Sequence, residues 1–303
     1  MQISEMIASS IRMCLPVLLA ALGATYSEKS GVVNIGLEGM MITGAFWGAT
    51  CSYYAGPYLG LLGAILAGML LAAVHAVTSV TFKVNQIVSG VALNTFAYGA
   101  ARFAATTIFK MATTTPGVPR LPTVDIPILS LVGWLEPATK ALSPVIILAF
   151  LLVPATKFVL ERTVFGLRLR SAGENPLAAD TVGVNVSAMR YAGVIISGGF
   201  AGLAGGYLAI EHTGMYVEGM TQGAGFIGLA AMIFGNWQPV GAMLASLLFG
   251  LSEGVALNVE SEIIPYQFIK MIPYVLTIAV LASATRRATP PAASGVPYER
   301  GGE

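Results

Sequence analysis

Apolar stretches that approach the ~20 residues needed to cross a bilayer recur along most of this chain. They form about nine segments, at residues 11–26, 39–56, 59–82, 87–109, 144–160, 191–210, 223–235, 240–258 and 266–285. The first and seventh are short, so counts of eight or ten stay open. Only 10% of residues are charged, against about 25% in soluble domains. The sequence therefore predicts an all-α membrane protein, a polytopic helical bundle.

Small residues recur at every fourth position in three of these segments. The stripes are Gly60, Ala64, Gly68, Ala72 and Ala76 in the third, Gly193, Ser197, Ala201, Gly205 and Ala209 in the sixth, and Ala242, Ser246, Gly250 and Gly254 in the eighth. A second stripe of Gly198, Gly202 and Gly206 runs beside the first in the sixth segment. Because lipid offers no hydrophobic drive for helix association, such stripes serve close backbone approach. They predict a tightly packed bundle.

Basic residues set the expected orientation. Residues 161–190 lie between two apolar segments and hold Arg162, Arg168, Arg170 and Arg190, which places this loop in the cytoplasm. Alternation of the spans then makes residues 110–143 an external loop. Residues 1–287 are expected to form one transmembrane domain. Residues 288–303, rich in proline and glycine, are expected to be a disordered cytoplasmic tail.

A short helix is predicted inside the 161–190 loop. Asn175 is a favourable N-cap, Pro176 suits the first helical position, and Gly183 suits the position after the helix end. A short capped helix held between two spans is typical of a docking element. An ordinary cytoplasmic loop is the competing interpretation.

Motifs for chemistry are absent or misleading. No Gly-Lys dipeptide occurs, which excludes a Walker A phosphate loop, and the two histidines lie in no cluster with metal-ligand spacing. Residues 223–228 match GxGxxG, but no strand precedes them and no acidic residue follows at the expected distance. Residues 250–254 match GxSxG within an apolar helix, with no histidine after them. The sequence predicts no catalytic residues, no metal and no cofactor, hence no enzyme.

Polar residues at membrane depth are the remaining functional candidates, because they are expensive there and usually face a cavity or a partner. We expect a pathway lined by the polar residues Asn34, Glu38, Asn85 and Asn94, together with the aromatic residue Phe226. Glu38 could instead cap its own helix. Asn94 has no such alternative and is the strongest candidate.

Two segments of the chain resemble each other, and their similarity also indicates a transport pathway. Residues 33–44 read VNIGLEGMMITG and residues 225–235 read GFIGLAAMIFG. The expected topology starts these segments from opposite sides of the membrane, as in an inverted repeat. Paired short or glycine-interrupted segments commonly mark a transporter's binding site.

Four blocks of the sequence resemble the membrane permeases of bacterial ATP-binding cassette (ABC) importers. The blocks are GVVNIGLEGMMITGA (31–45), VNQIVSGVALN (84–94), GENPLAADTVGVNVSAMRYAGVIISGGFAGLAGGYLA (173–209) and GAGFIGLAAMIFGNWQPVGAMLASLLFG (223–250). The branch handles branched-chain amino acids, sugars and nucleosides, and the blocks look closest to nucleoside (guanosine-type) permeases. The resemblance runs from about residue 10 to 285. It implies inverted repeats and a fold similar to the vitamin B12 importer permease, although an additional N-terminal span of that fold is not evident here.

The resemblance also implies a role for the short helix, as a coupling helix that docks on an ATPase subunit. It carries this role over to Glu174, Asn175, Pro176, Leu177, Ala178, Ala179, Asp180 and Gly183. The implied partners are a cytoplasmic ATPase, a second homologous permease and an extracytoplasmic substrate-binding lipoprotein, at the bacterial cell membrane. Sugar or branched-chain amino-acid permeases, a stand-alone carrier or channel, and a non-transporting scaffold remain as alternatives.

Overall fold

The computed structural model describes residues 3–122, 143–258 and 289–299, together with residues 268, 271 and 275. Regular structure in these residues is helical. In chain order the helices are α1 (Ile3–Lys29), α2 (Leu37–Ala55), α3 (Pro57–Ala76), α4 (Gln86–Phe109), α5 (Pro144–Arg162), α6 (Val164–Glu174), α7 (Pro176–Thr181), α8 (Val186–Gly206), α9 (Ala224–Phe234) and α10 (Pro239–Asn258). Two π-helical turns, Val77–Thr81 and Tyr207–Thr213, extend α3 and α8.

Local sequence explains where many of these helices begin. The side chains that accept a hydrogen bond from the first helical turn are Asn85, Ser143, Thr163, Asn175 and Asn185, before α4, α5, α6, α7 and α8 respectively. Each satisfies a backbone N–H that has no partner inside its helix. Proline opens α3, α5 and α7, where its missing N–H is not needed.

Within the part of the chain that the structure describes, five helical stretches are long and apolar enough to cross a membrane: Met6–Lys29, Pro57–Thr81, Pro144–Arg162, Val186–Thr213 and Pro239–Leu257. They correspond to the first, third, fifth, sixth and eighth predicted segments. The second and fourth segments form α2 and α4, with 19 and 24 residues, and α9 is a short apolar helix, as predicted. The ninth segment, at 266–285, lies outside the described residues except at 268, 271 and 275.

The first span is longer than the sequence indicates. The apolar stretch ends at residue 26, but α1 continues to Lys29 and has 27 residues. The helix stops where Gly31 adopts φ +94°, a conformation that favours glycine. Backbone geometry, and not loss of hydrophobicity, therefore sets the end of α1.

The small-residue stripes bring backbones together, as predicted. A Cβ added to Gly68 of α3 would lie 2.2 Å from the Gly198 carbonyl oxygen of α8, and one added to Gly202 would lie 2.2 Å from the Ala64 carbonyl oxygen. A Cβ on Gly250 of α10 would lie 2.3 Å from Cys14 Cβ of α1. Helices α1 and α8 occupy the centre, since α1 packs against α8, α9 and α10 while α8 also packs against α2 and α3.

This packing makes a stability prediction. Gly202→Ala should lower the free energy of unfolding by about 1–3 kcal/mol, because the methyl group has no room against α3 and the backbones must separate. Gly99→Ala is the matched control, since nothing lies within 4 Å of a Cβ at Gly99. Thermal unfolding of both variants in detergent checks the difference. Equal melting temperatures would contradict close packing at this crossing.

The region 161–190 contains more helix than the sequence indicates. Besides α7 the structure has α6, and α8 already begins at Val186. Helix α6 packs closely on the end of α5, because a Cβ on Gly166 would lie 2.1 Å from the Val159 carbonyl oxygen. The low hydrophobicity of α6, with Arg168 and Arg170, hides it from a search for apolar segments.

Residues 289–299, which we call the strap, also differ from expectation. The composition predicts disorder, whereas the strap lies across the end of the bundle that carries α6 and α7, which we call the α7 end. Backbone hydrogen bonds join Ala293 N to Gly173 O (2.9 Å) and Gly295 N to Gly31 O (3.1 Å). The ordering comes from these contacts with the folded bundle, which composition does not report.

Candidate functional site

One buried carboxylate joins the beginnings of two helices inside the bundle. Glu38 lies in the first turn of α2, and its Oε1 accepts hydrogen bonds from Thr221 Oγ1 (2.5 Å) and Gly223 N (3.0 Å). Its Oε2 accepts from Gly225 N (2.8 Å). Glu38 is 2% exposed, so these donors replace the water that a carboxylate otherwise requires.

The two backbone donors belong to the N-terminus of α9. There the N–H groups have no intrahelical partner and the helix dipole is positive, which favours a negative charge. The sequence left open that Glu38 caps its own helix. The structure shows it capping α9 instead, 187 residues away.

The misleading GxGxxG match acquires a physical explanation here. Gly223 adopts φ +81°, a Cβ on Gly225 would lie 2.6 Å from Glu38 N, and a Cβ on Gly228 would lie 2.5 Å from Ala20 Cβ of α1. Glycine therefore supplies a left-handed turn, close approach to an anion and close helix packing. The pattern marks an anion-binding helix start, and its anion is a side chain of the same protein.

Asn94 caps α2 in a corresponding way. Its Oδ1 accepts a hydrogen bond from Gly39 N (2.7 Å), and its Nδ2 donates to Ile35 O (3.0 Å). The residue before α2, Gly36, has no side chain to cap the helix. Helix α4 thus caps α2 through Asn94, and α2 caps α9 through Glu38. Asn94 has a structural role that the sequence did not reveal.

From this junction α2 and α9 run toward opposite ends of the bundle. Helix α2 leads away from the α7 end, since a Cβ on Gly44 would meet Gly202 of α8 and one on Gly48 approaches Gly206. Helix α9 leads toward the α7 end, where Trp237 Nε1 donates to Glu28 Oε2 (2.9 Å) beside the end of α1. Two helices with adjacent starts and opposed directions are what an inverted pair requires.

A cleft of about 500 Å³ opens beside the junction. Its lining consists of Glu38, Val91, Asn94, Thr95, Tyr98, Gly223 and Phe226. Three of the five predicted pathway residues, Glu38, Asn94 and Phe226, therefore lie together. Phe226 is 46% exposed, so one wall of the cleft presents an accessible aromatic ring.

The other two predicted pathway residues do not line this cleft. Asn34 is fully buried and donates through Nδ2 to Ser197 Oγ (3.0 Å). Asn85 is the N-cap of α4 and accepts from Ile87 N (3.0 Å) and Val88 N (3.2 Å). Asn85 is at a helix start and Asn34 lies in the connection before α2. Polar residues in such positions have structural uses that a search for buried polarity cannot separate from binding.

The sequence missed Thr95, Tyr98 and Thr221. Thr95 and Tyr98 follow Asn94 by one and four positions, so the helical repeat could have placed Tyr98 one turn further along the same face. Thr221 shows no comparable signal, since its relation to Glu38 depends on tertiary structure. Across the 219–223 turn lies a second cavity of about 380 Å³ whose polar lining includes His212, Glu218, Gln222 and Glu253.

Whether the described polar residues could hold a metal ion depends on how closely they lie together. Among the residues that the structure describes, no three His, Cys, Asp or Glu side chains lie close enough to hold a metal ion. His75 is fully buried, with Nδ1 2.9 Å from Ser89 Oγ and Nε2 3.1 Å from Val33 O. It is a hydrogen-bonded packing residue at the α3–α4 contact.

The predicted short helix is present as α7. Asn175 Oδ1 accepts from Ala178 N (3.0 Å), Pro176 is the first residue, and Gly183 adopts φ +84° just beyond the end. The local prediction is confirmed at each of these positions. A docking role is a separate matter that depends on which side chains face outward.

Helix α7 buries one residue and exposes apolar ones. Ala179 is 3% exposed, whereas Leu177 is 54% and Val182 is 78% exposed. Ala178 and Gly183 are also exposed, while Asp180 is partly buried. Glu174 accepts a hydrogen bond from Ala292 N (3.3 Å) of the strap. Leu177 and Val182 therefore form the candidate contact surface, and Ala179 anchors the helix.

Comparison with known proteins points to one family. The model of the family described as the permease component of branched-chain amino acid transport systems matches residues 6–281. The guanosine ABC transporter permease protein NupQ of Bacillus subtilis is 40% identical, with 99% of this chain and 98% of that protein covered. The nucleoside ABC transporter permease protein NupC of Lactococcus lactis is 39% identical, with 93% of each covered.

The name of a third relative gives a different substrate. The putative glucose ABC transporter permease protein TsgC13 of Haloferax volcanii is 37% identical over 89% of this chain and 88% of that protein. No solved structure matches the chain significantly.

Proposed function

This chain belongs to the permease-component family of branched-chain amino acid transport systems, and we propose that it is the membrane-spanning subunit of an ABC importer for nucleosides. Family membership makes it a multi-pass membrane transport component and not an enzyme. The nucleoside assignment is carried by the similarity to the guanosine and nucleoside permeases over nearly the whole chain. A sugar permease is the second candidate, because the putative glucose permease is almost as similar.

The cleft beside Glu38 is the proposed translocation pathway. A nucleoside has a flat base and a hydroxylated sugar, so a site for it needs aromatic surface and a few polar groups. Phe226 and Tyr98 offer the first, and Asn94 and Thr95 offer the second. The cleft is open on one side, which a second, homologous permease would close. We expect an inverted-repeat bundle similar to the vitamin B12 importer permease, with about nine spans.

Helix α7 is the proposed contact with a separate cytoplasmic ATPase. Leu177 on the capped helix α7 and Val182 just after its end are apolar and exposed, outside the spans, as expected of a surface that a protein covers. Lys83, Arg168 and Arg170 are grouped at the same end, which favours a cytoplasmic location. Residues 110–122 then face outward, toward a substrate-binding lipoprotein, while residues 123–142 of the predicted external loop lie outside the described residues.

The mechanism follows from the junction of α2 and α9. Binding of ATP would bring the ATPase subunits together, and α7 would transmit that movement to the bundle. Because α2 and α9 meet at one carboxylate and run in opposite directions, we expect a tilt of either helix to change the width of the cleft between them. Coupling requires that the docked α7 favour different states of the bundle with and without ATP.

Uptake measurements test the proposal. The chain is purified with the ATPase and permease that accompany it, placed in liposomes, and supplied with the binding protein and radiolabelled guanosine, glucose or leucine. We expect ATP-dependent guanosine uptake about tenfold or more above that of the others. An ATPase without its catalytic carboxylate is the control.

Each other outcome identifies an alternative. Preferential uptake of glucose or leucine would change the substrate assignment and leave the importer assignment intact. Uptake by this chain alone without ATPase would indicate a stand-alone carrier or channel. No uptake of any solute by an assembled complex would contradict the transport assignment.

A further inference from the structure

The strap connects four parts of the α7 end that the chain otherwise leaves separate. Thr289 N donates to Asn236 Oδ1 (3.1 Å) between α9 and α10. Ala293 N binds the end of α6 at Gly173 O, and Gly295 N binds the α1–α2 connection at Gly31 O. Glu299 accepts from Lys83 Nζ (2.7 Å) between α3 and α4. The strap therefore spans the connections that precede α2, α4, α7 and α10.

The strap also packs against the cluster that anchors α7. The one buried residue of α7, Ala179, clusters with Ala172 of α6 and Val186 of α8, and Tyr298 of the strap packs against that cluster. A helix of 6 residues is too short to be stable by itself. Its position therefore depends on the packing of Ala179, to which the strap contributes the aromatic ring.

A buried arginine fixes the strap to α8. Arg190 is 1% exposed, and its Nη1 donates to Val296 O (2.8 Å). Its Nε and Nη2 have no hydrogen-bond partner among the described residues. Since the cation is shielded from water, the Val296 carbonyl is a polar group that supports it. Displacing the strap would remove that group, so Arg190 ties the strap to the start of α8.

We propose that the strap is a positioning element for α7, with Tyr298 as its principal residue. By holding α7 against α6 and α8, and by binding the connection before α2, it makes these parts move together. Helix α2 carries Glu38, so the strap links the docking helix to the cleft. This inference rests on the proposed function, because a link from α7 to the cleft matters only if α7 receives movement from an ATPase.

Two readouts on three variants test the proposal. The first is hydrogen exchange of the Ala179 and Val184 amides, which bond to Asn175 O and Ala179 O. The second is the number of ATP molecules hydrolysed per guanosine taken up by the complete complex. Tyr298→Ala removes the aromatic ring, and Tyr298→Phe keeps it. Glu299→Gln removes only the ion pair with Lys83, in which the Glu299 side chain is 65% exposed and the Lys83 side chain 40% exposed.

We expect Tyr298→Ala to speed exchange of these α7 amides about tenfold while leaving α8 amides unchanged, since α7 opens locally. The ATP consumed per guanosine should rise several-fold with an unchanged KM for guanosine. Tyr298→Phe should match the wild type in α7 exchange, because it keeps the ring that packs against the Ala179 cluster. Glu299→Gln should match the wild type in both readouts, because exposed ion pairs contribute little.

The outcomes separate this inference from the proposed function. Unchanged α7 exchange and unchanged stoichiometry in Tyr298→Ala would overturn it. Loosened α7 with wild-type stoichiometry would also overturn it, because the strap would then be structural only. If the wild-type complex shows no ATP-driven uptake, the proposed function fails. Positioning of α7 is then still decided by exchange, and unprotected Ala293 and Gly295 amides in the wild type would exclude a seated strap.

Discussion

Glu38→Ala is expected to abolish guanosine uptake and to lower the free energy of unfolding by about 3–5 kcal/mol, because three buried donors lose their acceptor. The variant leaves Thr221 Oγ1, Gly223 N and Gly225 N without their acceptor. Unmatched donors in a buried site lose the full hydrogen-bond contribution because water does not replace the partner. The starts of α2 and α9 would separate, and the cleft wall formed by Gly223 and Phe226 would lose its position.

Two further variants should cause smaller losses of stability and uptake than Glu38→Ala. Glu38→Gln keeps one acceptor but places a donor amide near an N–H group, so an intermediate loss is expected. Thr221→Val removes one of the three hydrogen bonds and should lower stability by about 1 kcal/mol. Thermal unfolding in detergent and uptake in liposomes measure both quantities. Wild-type uptake by Glu38→Ala would show that the junction does not shape the pathway.

Local features of this fold are predictable from sequence because their causes are local. Asn175, Pro176 and Gly183 define α7 through hydrogen bonds and backbone angles within a few residues. The stripe at Gly198 and Gly202 likewise predicts a close crossing. The stripe does not name its partner, and only the structure shows that the facing residues are Ala64 and Gly68 of α3.

The candidate site is predictable only in part, because it depends on contacts between distant residues. Polarity at membrane depth identifies Glu38 and Asn94, yet the groups they bind lie 187 and 55 positions away. The same search selects Asn85, whose hydrogen bonds end within its own helix. Burial of a polar residue therefore indicates that it has a partner, and not whether that partner is a ligand.

For the strap, sequence composition predicts too little structure. A segment rich in proline, glycine and alanine cannot form a core of its own, so composition predicts disorder. Here the order is supplied by the surface on which the segment lies, through Gly31 O, Gly173 O and Arg190. None of these partners is near the strap in sequence.

Charges placed on the outer face of α7 provide the second large effect. Leu177→Asp and Val182→Asp should each reduce ATP-driven guanosine uptake about tenfold or more, because a partner that buries Leu177 or Val182 gains about 1.5–3 kcal/mol per side chain. Membrane insertion and thermal stability should stay at wild-type values, since both side chains are exposed. Leu177→Met keeps an apolar side chain of similar size and is the matched control.

Ala179→Asp distinguishes docking from folding. Ala179 lies in a buried cluster with Ala172 and Val186, against which Tyr298 packs, so a carboxylate there breaks the packing that holds α7 and should accelerate exchange of its amides. The two outer variants should leave that exchange unchanged while weakening co-purification of the ATPase. If Leu177→Asp and Val182→Asp transport guanosine normally, α7 is not the surface through which ATP hydrolysis drives the bundle. The contact would then have to lie elsewhere on the α7 end.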